Sequence, residues 1–181
     1  MFYTVHLSNK QRIIMRFKKV SKSSRDGLCH IAIVEDSMAD VTYFKHVLET
    51  EKVRFIPHFF QDGEAFLNGF AKRRKEVKKF PYDLVVLDLN LPRYNGFEIL
   101  EEIQKQDKTK DKPIVVLTCS SNKNDITKSG KLGAAGYLCK PLNKENFFRI
   151  KHIIDNIKFV MNNGETYLFP REKLAMPQQP S

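Results

Sequence analysis

Four short apolar runs in this chain end in residues that are unusual at such positions. His30-Ile-Ala-Ile-Val34 runs into Glu35-Asp36, and Asp83-Leu-Val-Val-Leu87 runs into Asp88. Pro113-Ile-Val-Val-Leu117 runs into Thr118, and Ala135-Gly-Tyr-Leu-Cys139 runs into Lys140. If these runs are parallel strands of one open sheet, their carboxyl ends share the edge at which ligands bind in α/β folds. Three carboxylates, a hydroxyl and an ammonium would then converge. Like charges in a partly desolvated site repel and raise one another's pKa, so such a cluster needs compensating positive charge. A hard cation such as Mg2+ suits an all-oxygen site, and Lys140 brings a second positive charge on a flexible stem. A nucleophilic carboxylate, a metal bridging to phosphoryl oxygens and fixed donors for the remaining charge are what phosphoryl transfer requires, so the implied chemistry is aspartyl phosphorylation.

The elements that must position these residues are legible as an alternation of apolar runs with amphipathic segments, which predicts βα units and a parallel sheet. Strand one is His30 to Val34. It is followed by a helix from Met38 to Thr50 with Val41, Phe44, Val47 and Leu48 at helical spacing. Strand two is read as Val53 to Phe60, with Pro57 marking an edge strand. Asp62-Gly63 opens a second helix carrying Ala65, Phe66, Phe70 and Val77, whose distal end is basic at Lys72-Arg73-Arg74-Lys75. Strand three spans Asp83 to Asp88, the third helix about Gly96 to Gln106, and strand four Pro113 to Thr118. A fourth helix is expected from Asp125 to Leu132, between Gly130 and Gly133 as limits, and strand five from Ala135 to Cys139. A last helix is predicted over Leu142 to Met161, with Phe147, Ile150, Ile154, Ile157 and Val160 on one stripe and Asn162-Asn163-Gly164 as its stop. This divides the chain into an extension at 1–28, one α/β domain at 29–161 and an extended tail at 162–181.

With those motifs in place, the sequence resembles the receiver domain of bacterial two-component response regulators. Asp88-Leu-Asn-Leu-Pro92-Arg-Tyr-Asn95-Gly96 is similar to the family's phosphoacceptor loop, Glu35-Asp36 to its acidic pair and Lys140-Pro141 to its lysine-proline step. Thirty residues separate Asp88 from Thr118 and 22 separate Thr118 from Lys140, the family's usual intervals. The phrase Leu-Asp-Leu-Asn-Leu-Pro at 87–92 is particularly similar to stand-alone regulators paired with phytochrome-type histidine kinases.

The resemblance implies a doubly wound α/β domain, a flavodoxin-like five-stranded parallel sheet in the order 2-1-3-4-5. It implies Asp88 as phosphoacceptor, with Asp36 and the backbone carbonyl of Asn90 completing a Mg2+ site and Glu35 acting through metal-bound water. Lys140 would hold a phosphoryl oxygen, Thr118 would close onto the phosphoryl group and Tyr137 would be the aromatic switch. The Lys140-Pro141 bond is expected to be cis, and Gly96 to mark a close approach or unusual backbone angles. The implied function is that of a response regulator with no attached output domain, phosphorylated by a sensor histidine kinase and signalling to a downstream protein, with a homodimer as a further partner. As a phosphoacceptor it is not an enzyme in the ordinary sense; self-phosphotransfer and self-dephosphorylation are the activities expected.

The sequence departs from the family in three places. The acidic pair is Glu-Asp where Asp-Asp is commoner, Asn95 stands where Asp is usual, and Cys119 follows Thr118 where a small residue is usual. The 52 residues from Asp36 to Asp88 are also more than typical, the excess falling in the basic second helix and its loop.

Composition narrows the remaining classes. A chain of 181 residues with 41% hydrophobic and 29% charged residues has material for one sizeable core. No segment approaches the ~20 apolar residues of a membrane span. Lys10, Arg12, Arg16, Lys18 and Lys19 interrupt any signal-like run, so a cytoplasmic location is expected. Cys29, Cys119 and Cys139 show neither disulfide nor zinc-ligand spacing. Of the net charge of +10, residues 1–28 carry +6, from seven basic residues against Asp26. That concentration reads as a solvated tail more readily than as a nucleic-acid contact, although Ile13, Ile14, Phe17 and Val20 fall at the spacing of a basic amphipathic helix. Two other functions remain to be weighed: a silent scaffold whose basic tail binds nucleic acid or a membrane surface, and a Mg2+-dependent phosphatase. The latter needs a general acid where Asn90 stands.

Overall fold

The β-branched runs form a central parallel sheet, as their near-continuous apolar character requires when both faces are covered by helices. The computed structural model describes residues 27–77, 80–106 and 112–171, and the backbone of 2–4 and 14–16. Its five central strands are β1 (His30–Val34), β2 (Ile56–Phe60), β3 (Leu84–Leu87), β4 (Ile114–Thr118) and β5 (Gly136–Cys139). They pair in parallel in the order β2-β1-β3-β4-β5, which is the expected 2-1-3-4-5. Pro57 is accommodated because β2 is an edge strand, with Ile31 opposite Pro57 in the register.

Five helices connect the strands: α1 (Met38–Thr50), α2 (Gly63–Val77), α3 (Gly96–Gln106), α4 (Lys123–Lys131) and α5 (Lys144–Ile153). Alternate side chains of each strand point to opposite faces and build two cores. Ile31, Ile33, Val86 and Leu117 pack with Phe44 of α1 and Phe147 and Ile150 of α5. Ala32, Val34, Val85 and Val116 pack with Phe66 and Phe70 of α2 and Ile99 and Ile103 of α3. Among the described residues, no helix is long and apolar enough to cross a membrane.

The carboxyl-terminal part corrects the sequence reading. The helix predicted over Leu142 to Met161 is α5 alone, capped by Asn143, whose side chain accepts a hydrogen bond from the Asn146 N–H. After it, β6 (Ile157–Asn162) and β7 (Glu165–Pro170) form an antiparallel hairpin. Asn163 and Gly164 at its tip have φ of 49° and 72°, the pair of left-handed residues that a tight two-residue hairpin turn requires. The turn that reads as a helix stop is therefore a strand connection, and Ile154 and Ile157 share a stripe without sharing a helix. Within the expected tail, Thr166, Leu168 and Pro170 alternate as buried residues, with Leu168 fully enclosed. The backbone N–H of Cys29 donates to the Leu168 carbonyl at 2.8 Å, tying the hairpin to the start of β1. Residues 172–181 lie outside the described residues.

The expected second strand is also divided. Val53–Arg54 leaves the main sheet to pair with β7, and Ile56–Phe60 remains in it. In the extension, Phe2–Thr4 pairs antiparallel with Ile14–Arg16, so a helix through Ile14 is not what forms there. The rest of that expectation, at Ile13, Phe17 and Val20, lies outside the described residues.

Candidate functional site

Strand polarity brings the ends of β1, β3, β4 and β5 to one edge, and with them the residues singled out by sequence. Glu35 follows β1 directly, and its Oε1 accepts a hydrogen bond from the Ser37 N–H at 3.1 Å. Ser37 caps α1, its hydroxyl accepting from the Asp40 N–H at 3.2 Å. Asp88 follows β3, its N–H donating to the Val34 carbonyl at 3.0 Å, so the two carboxylates are fixed relative to each other through the backbone. The Lys140 N–H donates to the Thr118 carbonyl at 2.9 Å, which similarly couples the ends of β4 and β5.

Glu35 and Asp88 are buried, Asp36 is exposed, and one carboxylate oxygen from each lies within 4.8 Å of the others. The Lys140 ammonium sits among carboxylates, at 2.6 Å from Glu35 Oε2, 2.7 Å from Asp88 Oδ2 and 2.8 Å from Asp40 Oδ2. Burial works to lower the Lys140 pKa, but its hydrogen bonds to Asp40, Asp88 and Glu35 outweigh burial and hold it above the ordinary range. Burial also raises the Glu35 carboxyl, and its interactions with Lys140 oppose that rise without cancelling it. One cation among four nearby carboxylates leaves the edge in net negative charge, a donor set of oxygens suited to a hard divalent ion. By this chemistry the residues fit Mg2+.

Thr118 is completely buried, and its Oγ1 has no hydrogen-bond partner. A buried hydroxyl without a partner costs about 1–3 kcal/mol, so it marks a place where an incoming oxygen would be welcome. Asn90 lies two residues past Asp88 on the exposed loop, its N–H donating to Asp88 Oδ1 at 3.2 Å. Tyr137 stands on β5, partly buried, and its hydroxyl donates to the Ser120 carbonyl at 2.9 Å, linking β5 to the loop after Thr118. Burial is the main cause of its raised pKa. The Lys140-Pro141 bond is cis, as expected. Gly96 is explained by close approach, since a Cβ there would lie 2.5 Å from the Asp88 carbonyl oxygen and 2.7 Å from Leu89 Cα.

Asp40 is the site residue that sequence reasoning missed. Ser37-x-x-Asp40 reads as a helix-capping arrangement, which accounts for an acid at that position without a site. The signal that would have found it is position: it falls on the first turn of α1, which starts directly after the acidic end of β1.

Comparison with known proteins bears on this arrangement. Residues 31–151 match the response regulator receiver domain. Response regulator Rcp1 of Synechocystis sp. is 35% identical over 127 residues, covering 70% of this chain and 86% of that protein. The Mn2+-bound structure of Rcp1 superposes with a TM-score of 0.54 at 36% identity, over 69% of this chain and 91% of that one. The bacteriophytochrome response regulator AtBRR gives 0.63 at 25% identity, over 75% of this chain and 99% of that one. The phosphorylated cyanobacterial phytochrome response regulator RcpA gives 0.57 at 31% identity, over 70% and 91% of the two chains.

Proposed function

This chain belongs to the response regulator receiver family, and from that membership we propose that it accepts a phosphoryl group on Asp88 from a sensor histidine kinase and passes the signal on by protein contact. The observation that carries the reading is the Lys140 ammonium held 2.7 Å from Asp88, with the unpartnered Thr118 hydroxyl at the end of the adjacent strand. A carboxylate oxygen of Asp88 attacks phosphorus. The bond from phosphorus to the donor's imidazole nitrogen breaks, and its electron pair stays with the ring. Mg2+ would be held by Asp36, Asp88 and the Asn90 backbone carbonyl, with Glu35 acting through metal-bound water, and would supply positive charge to the phosphoryl oxygens. Lys140 turns a proton toward one phosphoryl oxygen, and the Thr118 hydroxyl donates to another.

That new hydrogen bond draws Thr118 and the loop after it toward Asp88. Tyr137 is bonded to that loop through Ser120, so it is the side chain placed to respond. The result is a shift in population between two arrangements of β4, α4, β5 and α5. The likeness to phytochrome response regulators supports a phytochrome-like kinase as donor. The recipient is a downstream protein or a second copy of the chain, in the cytoplasm. The test is intact mass after incubation with acetyl phosphate and Mg2+. Wild type is expected to gain one phosphoryl group, a gain that does not occur when EDTA replaces Mg2+ in the incubation and is absent from Asp88→Asn. A gain retained by the variant would overturn the assignment.

A further inference from the structure

Lys140 makes three ion pairs, and the third is not explained by the reading above. An ammonium has three protons, and here each has a carboxylate: Glu35 at 2.6 Å, Asp88 at 2.7 Å and Asp40 at 2.8 Å. The three acceptors differ in what else they are asked to do. Glu35 and Asp88 belong to the cluster that fits a metal ion, and Asp88 is the proposed nucleophile. Asp40 stands outside that cluster, on the first turn of α1. Its side chain is 45% exposed, against 9% for Lys140.

We propose that Asp40 is a positioning residue for phosphoryl acceptance, holding the Lys140 ammonium at the mouth of the acidic pocket while Glu35 and Asp88 are claimed by metal and phosphoryl group. The inference rests on the reading of Asp88 as phosphoacceptor and adds to it a residue that reading does not use. When the Asp88 carboxylate forms its bond to phosphorus, it gives up its formal charge, and the donor's leaving group departs with the electron pair of the broken bond. With Mg2+ bound, Glu35 would spend part of its charge on metal-bound water at the same stage. Two of the three anchors of Lys140 therefore weaken in the step in which its proton must turn to a phosphoryl oxygen.

Asp40 takes part in neither change. Its backbone is fixed by the Ser37 cap, so the tether has a rigid base. Without Asp40, the ammonium falls back wholly on Glu35 and Asp88, where it competes with the metal and covers the nucleophile. The other account of Asp40 is an acid at a helix amino terminus, stabilising the helix dipole. The two accounts differ in whether the effect of Asp40 passes through Lys140.

The experiment is a double-mutant cycle with Asp40→Asn and Lys140→Met, reading two quantities in all four proteins. One is Mg2+ affinity by calorimetry, and the other is the rate of phosphorylation by acetyl phosphate. Asp40→Asn is expected to slow phosphorylation about tenfold and weaken Mg2+ binding about threefold when Lys140 is present, and to change neither by more than about twofold in the Lys140→Met background. Asp40→Glu, whose longer chain still reaches the ammonium, is expected to recover most of the rate. Equal losses in both backgrounds, or no loss in either, would overturn the proposal. If wild type takes up no phosphoryl group, the Asp88 reading fails, and the Mg2+ affinities alone decide whether Asp40 acts through Lys140.

Discussion

The two ends of the sheet treat polar groups in opposite ways. At the amino ends of the strands the described polar groups are mostly paired within the chain. The His30 N–H donates to Asp83 Oδ2 at 2.7 Å, His30 Nδ1 lies 2.9 Å from His58 Nε2, and Asn156 Nδ2 donates to the Asp83 carbonyl at 3.1 Å. Arg54 leaves its Nε without a partner, yet the same guanidinium is paired with Glu165. The hairpin of β6 and β7 closes this end with Leu168. At the carboxyl ends, carboxylates outnumber the ammonium that compensates them, and the buried Thr118 hydroxyl has no acceptor. One end is largely paired within the chain, and the other carries an excess of carboxylates and a buried hydroxyl without a partner. The difference follows from what each end carries: apolar strands from the hairpin at one, charged loops at the other.

If the amino end is structural, damage there must cost stability and leave ligand binding intact. Leu168→Ala removes a fully buried side chain and is expected to cost about 3 kcal/mol in urea denaturation, with Mg2+ affinity of the folded protein unchanged. A loss of metal binding in a variant that stays folded would mean the two ends are not separable.

The next largest effect comes from acid at His58. Burial, then the charge of Arg73, lowers its pKa from 6.5 to about 4. A histidine kept neutral in the folded state contributes stability that is full above pH 6.5 and is lost as pH falls toward 4. Partial exposure reduces the linkage, and a loss of about 2 kcal/mol is expected across this window, absent from His58→Gln. An identical acid limb in the variant would place the titration elsewhere.

Glu35 gives the smallest effect, and one of opposite kind. Burial raises its carboxyl above the ordinary 4.5, so its contribution to stability is complete below that value and is lost as pH rises through the shifted one. Glu35→Gln is therefore expected to stabilise the metal-free protein at pH 7 by about 1 kcal/mol, with the advantage vanishing near pH 4. Thermal melts in EDTA at the two pH values check this. A destabilised variant at pH 7 would show that Lys140 already offsets the burial of Glu35.

The same contrast explains what could be read from sequence. The central sheet was legible because β-branched runs buried on both faces leave little choice of element, and Pro57 placed the edge. Glu35, Asp36, Asp88 and Lys140 were legible because charge at the end of an apolar strand is costly and so calls for a reason, and Thr118 through its intervals of 30 residues from Asp88 and 22 to Lys140. The hairpin was not, because Ile154, Ile157 and Val160 satisfy a helical period by coincidence, and Asn163-Gly164 ends a helix as readily as it turns a strand. Asp40 was hidden by the capping role that its spacing from Ser37 also satisfies.

The most direct test of the account is to phosphorylate the protein with acetyl phosphate and Mg2+, reduce it with borohydride and map the peptides. Borohydride converts an aspartyl phosphate to homoserine. The account predicts homoserine at position 88, with Asp36 and Asp40 intact. Modification at another carboxylate, or at none in a protein that carries the phosphoryl group, would contradict it.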